Sequence, residues 1–180
     1  MHLDDLKPQT GNCRRLIDAW KPWRGENLVP RRADMRLEDI IEILPWIAVA
    51  DIISETEVTI RLAGTMIREV LGVELTGRNL LDLTEPEHRA ARGARTARLA
   101  AQPCGAMWIW NLAFADQHSR PAENLCLPMR PNADGRPMQM LNVFGMLSSE
   151  YPPQAINRYQ QVAPSAQHSF IDIGAGMPEG

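Results

Sequence analysis

Cysteine is scarce in this chain of 180 residues: Cys13, Cys104 and Cys126 are the whole set. An odd, widely separated trio cannot build the dense disulfide framework of a small secreted domain, and no pair has zinc-ligand spacing. Lysine is rarer still, with Lys7 and Lys21 alone among 19 basic residues. The formal charge of −3 and a pI near 5.8 give no global attraction to nucleic acid or anionic lipid. No apolar run approaches the ~20 residues that span a bilayer. The start, MHLDDLKPQT, lacks the basic and apolar regions of a signal peptide. The expectation is a chain of the reducing cytoplasm with no membrane contact. Catalytic signatures are missing too: there is no Gly-x-Ser-x-Gly elbow, Walker loop or His-Glu-x-x-His. His2, His88, His118 and His168 lie far apart, and the Asp116/His118 turn reads as solvated. Neither an enzyme nor a metal site is expected.

What is present is a core. With 44% hydrophobic and 23% charged residues, the composition is that of one ordinary globular domain. Residues 1–11 read as a frayed start. Leu16, Ile17 and Trp20 recur at helical spacing, with Pro22 as the stop. Leu37, Ile40, Ile41 and Leu44 predict a short helix before Pro45. The period then changes to that of strands at Ile47–Ile53 and Glu57–Ala63, joined by the polar Ser54–Thr56. A short helix follows to Leu71, then a loop holding LTGRNLLDL. Residues Glu85–Gln102 form the strongest helix, and its small face of Ala90, Ala94, Ala97 and Ala101 is expected to pack on a sheet. Three further strands are predicted, Ala106–Ala115, Glu123–Met129 and Met138–Leu147, followed by a short helix over 151–162 and a loose tail over 164–180. The fold class is α+β, a five-stranded antiparallel sheet with helices on one face and an N-terminal helical extension. The expected divisions are an extension over 1–46, a core over 47–147 and a C-terminal segment over 148–180.

The run Arg61–Thr65 (RLAGT), then Val70-Leu71-Gly72, then Leu75–Leu83 resembles the strand-to-helix core of PAS domains. Glu85-Pro86-Glu87-His88-Arg89 is similar to the Pro-Glu-Asp-Arg stretch that PAS domains place before their long helix. Trp20 to Gly25, Pro30–Asp34 and Leu44-Pro45 further resemble the stand-alone PAS proteins of alphaproteobacteria. The similarity covers roughly residues 12–147 and implies a sensory or docking domain.

Known PAS chemistries can be tested residue by residue. Where flavin photoreceptors carry their adduct-forming cysteine, this chain has Leu80, so that photochemistry is excluded. Where the resemblance places an axial haem histidine, the chain has Arg92; His88 lies one turn earlier, and haem is disfavoured. Other cofactors are left open. Strand alternation puts Trp108 and Trp110 on one face and Asn111 on the other, and it groups Met140, Asn142 and Phe144. These six are the ligand-pocket candidates, the amides of Asn111 and Asn142 needing partners from the backbone or from a ligand. Arg89, Arg92, Arg95 and Arg98 fan over about half the helix circumference at ~100° per residue, a solvated band rather than a nucleic-acid surface.

Both sheet faces are apolar, so the face away from the helices needs a cover. Leu16, Ile17 and Trp20 are the candidates, either covering it from within the chain or joining two copies. The leading expectation is a regulatory module acting through a homodimer or a signalling protein, with a small-molecule or cofactor sensor as the second reading and a small α+β enzyme as a distant third.

Overall fold

The computed structural model describes residues 1–113, 119–148 and 167–178. The predicted 151–162 helix, the end of the predicted Ala106–Ala115 strand and the Asp116/His118 turn lie outside that set.

Helix α1 (Gly11–Arg24) begins at Thr10, whose side chain accepts a hydrogen bond from the Cys13 amide. It runs through Pro22 rather than stopping there. A proline in the last turn forfeits only a terminal backbone bond, and Trp23 holds that turn: it is buried, and its indole N–H donates to Asp39 Oδ2 at 2.8 Å. The expected 37–44 helix is instead two 3-10 turns, Leu37–Asp39 and Leu44–Trp46. Ile40 and Ile43 are buried there while Leu37 and Ile41 face solvent, a three-residue spacing that suits the tighter turns.

Strands β1 (Ile47–Ile52) and β2 (Val58–Ala63) form the predicted hairpin. Helix α2 (Thr65–Leu71) ends at Gly72 in the left-handed region. A 3-10 turn over Leu80–Leu83 leads to α3 (Pro86–Ala101). Asn79 ties that turn to the sheet: Oδ1 accepts from the amides of Val58 and Leu81, and Nδ2 donates to Thr56 O. The backbone around it also pairs with β2, blunting what would be an open edge.

The remaining strands are β3 (Gly105–Ala113), β4 (Ser119–Met129), β5 (Gln139–Met146) and β6 (Gln167–Ile171). All pair antiparallel in one sheet of order β2-β1-β5-β4-β3-β6. The sheet therefore has six strands, not five. The sixth comes from the tail expected to be loose: Ile171 and Ile173 are wholly buried, and β6 covers the outer edge of β3. The chain start is likewise docked rather than frayed, with Leu3 buried and its amide donating to Asp172 O at 2.9 Å.

Strand alternation produces two cores. On the outer face Leu125, Leu127, Met129, Leu141 and Val143 meet α1. Leu16, Ile17 and Trp20 are buried in that contact, and the Trp20 indole donates to Pro128 O at 3.0 Å. Each aliphatic side chain so buried contributes about 1.5–3 kcal/mol. The chain thus covers its own outer face, and these side chains offer no surface for joining a second copy. On the inner face α2, α3 and the 80–83 turn pack over Ala48, Ala50, Ile60, Ala106, Trp110 and Met140. Helix α3 does not use its alanine face, for Ala90 and Ala101 are exposed; it buries Gly93, Thr96 and Leu99. Gly93 explains the rotation, since a Cβ there would overlap the Glu55 carbonyl of the β1–β2 hairpin. No helix among the described residues is long and apolar enough to cross a membrane.

Candidate functional site

Between the inner sheet face and the helices lies a cavity of about 60 Å³. Its walls come from every inner element: Ala48 and Ala50 on β1, Ile60 on β2, Ile67 and Leu71 on α2, and Leu75, Leu80 and Leu83 on the connecting segment. Arg92, Arg95 and Thr96 close it from α3, and Trp108, Trp110, Asn124, Met140, Asn142 and Phe144 line it from the sheet. The space is well below the ~150 Å³ of an engineered cavity that admits benzene. It suits a compact group, and a haem or flavin would require the helices to part.

Five of the six sequence candidates, Trp108, Trp110, Met140, Asn142 and Phe144, meet at this cavity. They come from β3 and β5, which are not adjacent but flank β4. For Asn111 the backbone pairs with Pro121, and its side chain lies outside the described set. The amides of Asn142 and Asn124 each find a backbone partner, donating to Met140 O at 3.4 Å and Val143 O at 3.1 Å.

The indole of Trp110 is different. The residue is only 7% exposed, its Nε1–H is enclosed, and no acceptor among the described residues meets it. Above the ring stands the Arg92 guanidinium, with Cζ 4.6 Å from the centroid, and the same group donates to the buried Thr84 hydroxyl. A cation on an indole face gains about 0.5–2 kcal/mol, which holds Arg92 over the cavity. Arg95 lies one turn further along and is half-buried. His88 is nowhere near: it stands at the start of α3, 3.9 Å from Glu85, and does not line the cavity, so it is not placed to ligate a haem iron there. Among the described residues, Glu85, Glu87 and His88 come together near the surface at the start of α3.

A family model described as PAS domain matches residues 9–148, from the cap of α1 to the end of β5. The chain belongs to the PAS-domain family. No curated protein matches it. Sensory and regulatory roles, rather than catalysis, are the rule for PAS domains; in this one all three thiols are buried, and burial pushes Cys104 up to about 11 and raises Cys13 and Cys126 as well.

Sequence reasoning missed Arg92 and Arg95 at this PAS cavity, reading them as part of a solvated band. The signal was available in their spacing. Arg92, Thr96 and Leu99 follow i, i+4, i+7, and Arg95 precedes Leu99 by four, so both arginines share a flank with the buried stripe. It was obscured by the expectation that alanines faced the sheet.

Proposed function

We propose that this PAS domain is a cytoplasmic regulatory module that responds to a small molecule in the inner-face cavity and signals through contact with another protein. The observation that carries the reading is the cavity itself: apolar walls, few polar groups, and a buried indole N–H without an acceptor. A route to the opposite face supports it. Phe144 lines the cavity, and its carbonyl accepts from Asn12 Nδ2 at 2.7 Å. The next residue, Gly145, lies directly beneath the Thr10 side chain that caps α1. A ligand that displaces Phe144 by a fraction of an ångström therefore moves the start of α1. A homodimer built on the outer face is the weaker reading, because α1 fills that face.

Native mass spectrometry of freshly purified protein, paired with hydrogen exchange, tests the reading. A retained or added small molecule should raise Tm and change exchange at the Cys13 and Arg14 amides as well as on α3. A protein that carries no small molecule and shows no thermal response across a metabolite panel would overturn it.

A further inference from the structure

The groups left unmet at the cavity are donors. Trp110 Nε1–H is a donor and nothing else, and it is buried without an acceptor. Arg95 carries a forked donor set and, among the described residues, makes no hydrogen bond or ion pair. Arg92 adds a second guanidinium, held over the Trp110 ring. Among the described residues no Asp or Glu lines the cavity beside Arg95. The amides of Asn124 and Asn142 already donate to backbone carbonyls. A neutral ligand would leave the Arg95 charge beside an apolar space and an indole donor unanswered. A group with two acceptor oxygens and one negative charge answers both, because a carboxylate fits the fork of a guanidinium and can accept from a neighbouring N–H.

Resting on the small-molecule reading above, we infer that the ligand is a compact monocarboxylic acid. Its carboxylate is held by Arg95 and the Trp110 indole, with Arg92 adding charge from above. Its hydrocarbon body lies among Ile67, Leu71, Leu83, Met140 and Phe144. The cavity of about 60 Å³ favours a small body, and an aromatic ring or a short chain enters only as the lining side chains move apart. Inorganic anions satisfy the donors but leave the apolar walls unfilled, so they rank below organic acids.

The test uses the full chain, uniformly ¹⁵N-labelled, titrated with benzoate, phenylacetate and hexanoate, then with benzamide, benzyl alcohol and inorganic phosphate. The Trp110 indole N–H resonance, assigned by its loss in Trp110→Phe, reports directly on the proposed hydrogen bond. At least one acid should bind and move that resonance downfield, with the neutral isosteres and phosphate weaker by about tenfold or more. Arg95→Gln should weaken the acid by about tenfold while Arg95→Lys retains part of the affinity. An unchanged Tm in the free variants separates this loss from misfolding. Amide or alcohol binding as tightly as the acid, or an Arg95→Gln protein binding normally, overturns the carboxylate assignment while leaving the small-molecule reading in place. If no acid of the series binds, the carboxylate assignment falls, while the small-molecule reading stands or falls on native mass spectrometry and the metabolite panel.

Discussion

Glu123 on β4 has no exposed surface, yet its carboxylate accepts three hydrogen bonds: the Gln9 amide at 2.8 Å, the Thr10 amide at 2.8 Å and the Thr10 hydroxyl at 2.6 Å. Opposite it on β5 is Gly145, where a Cβ would overlap the Thr10 side chain. These two positions seat the cap of α1 on the sheet. Glu123→Gln replaces one acceptor oxygen by an NH₂ facing a donor, and it should cost about 2–4 kcal/mol in urea denaturation. Gly145→Ala should lower stability by pushing the cap away, and the two effects should fall short of additivity because both loosen the same contact. Full additivity would mean that the two sites act independently of Thr10. The cysteines give a second residue-scale prediction. With all three thiols buried and raised, none should react with a disulfide reagent at pH 8 in the native state, and all should react in denaturant. Prompt native labelling of any one would show that its wall opens readily.

Among the elements, β6 shows how little tail it takes to close an edge. Five residues pair with β3, and the chain beyond them is pinned by Asp172, whose Oδ1 accepts from the amides of Gly174 at 2.7 Å and Gly176 at 2.9 Å. The Gly174 amide, aided by Gly176 and His2 and opposed by desolvation, holds the Asp172 carboxyl below its ordinary value of 3.8. A depressed carboxyl stabilises the folded state above its unfolded pKa, and that contribution fades as pH falls through the lower folded value. Exchange protection of the Gly174 and Gly176 amides, compared with that of β4, should therefore drop below about pH 4 while β4 stays protected. Equal protection at pH 6 and pH 2.5 would contradict it. Legibility also divides at this scale. The strands of the hairpins and the long helix were readable, because alternation at Val58, Ile60 and Leu62 and the proline at the start of α3 are local signals. The sixth strand was not: Ile171 is its one wholly buried apolar residue, and its partner lies about 60 residues away on β3. The rotation of α3 was hidden for the same reason, since what decides it is a backbone carbonyl at Glu55, remote in sequence from Gly93.

For the molecule as a whole, one sheet separates two cores of different finish. The outer core is filled: Leu16, Trp20, Leu125, Leu127, Leu141 and Val143 have no measurable exposure, and the Trp20 indole is hydrogen-bonded. The inner core keeps a void and an unanswered indole donor. By the measured cost of core cavities, a void of about 60 Å³ sacrifices about 1–1.5 kcal/mol. The orphaned indole donor adds about 1–3 kcal/mol. A fold that seals one face so closely has the means to seal the other, and the proposed small-molecule role accounts for the defect left on the inner face. Filling it should therefore trade function for stability. Ala48→Val, at a residue that lines the cavity from β1, should leave Tm unchanged or raise it by a few degrees. The same change should weaken small-molecule binding by about tenfold or more, since the added methyls occupy the ligand's space. Thermal denaturation with and without ligand measures both at once. A variant that loses stability and still binds normally would show that the inner face repacks freely, and the cavity would then be incidental to what this domain senses.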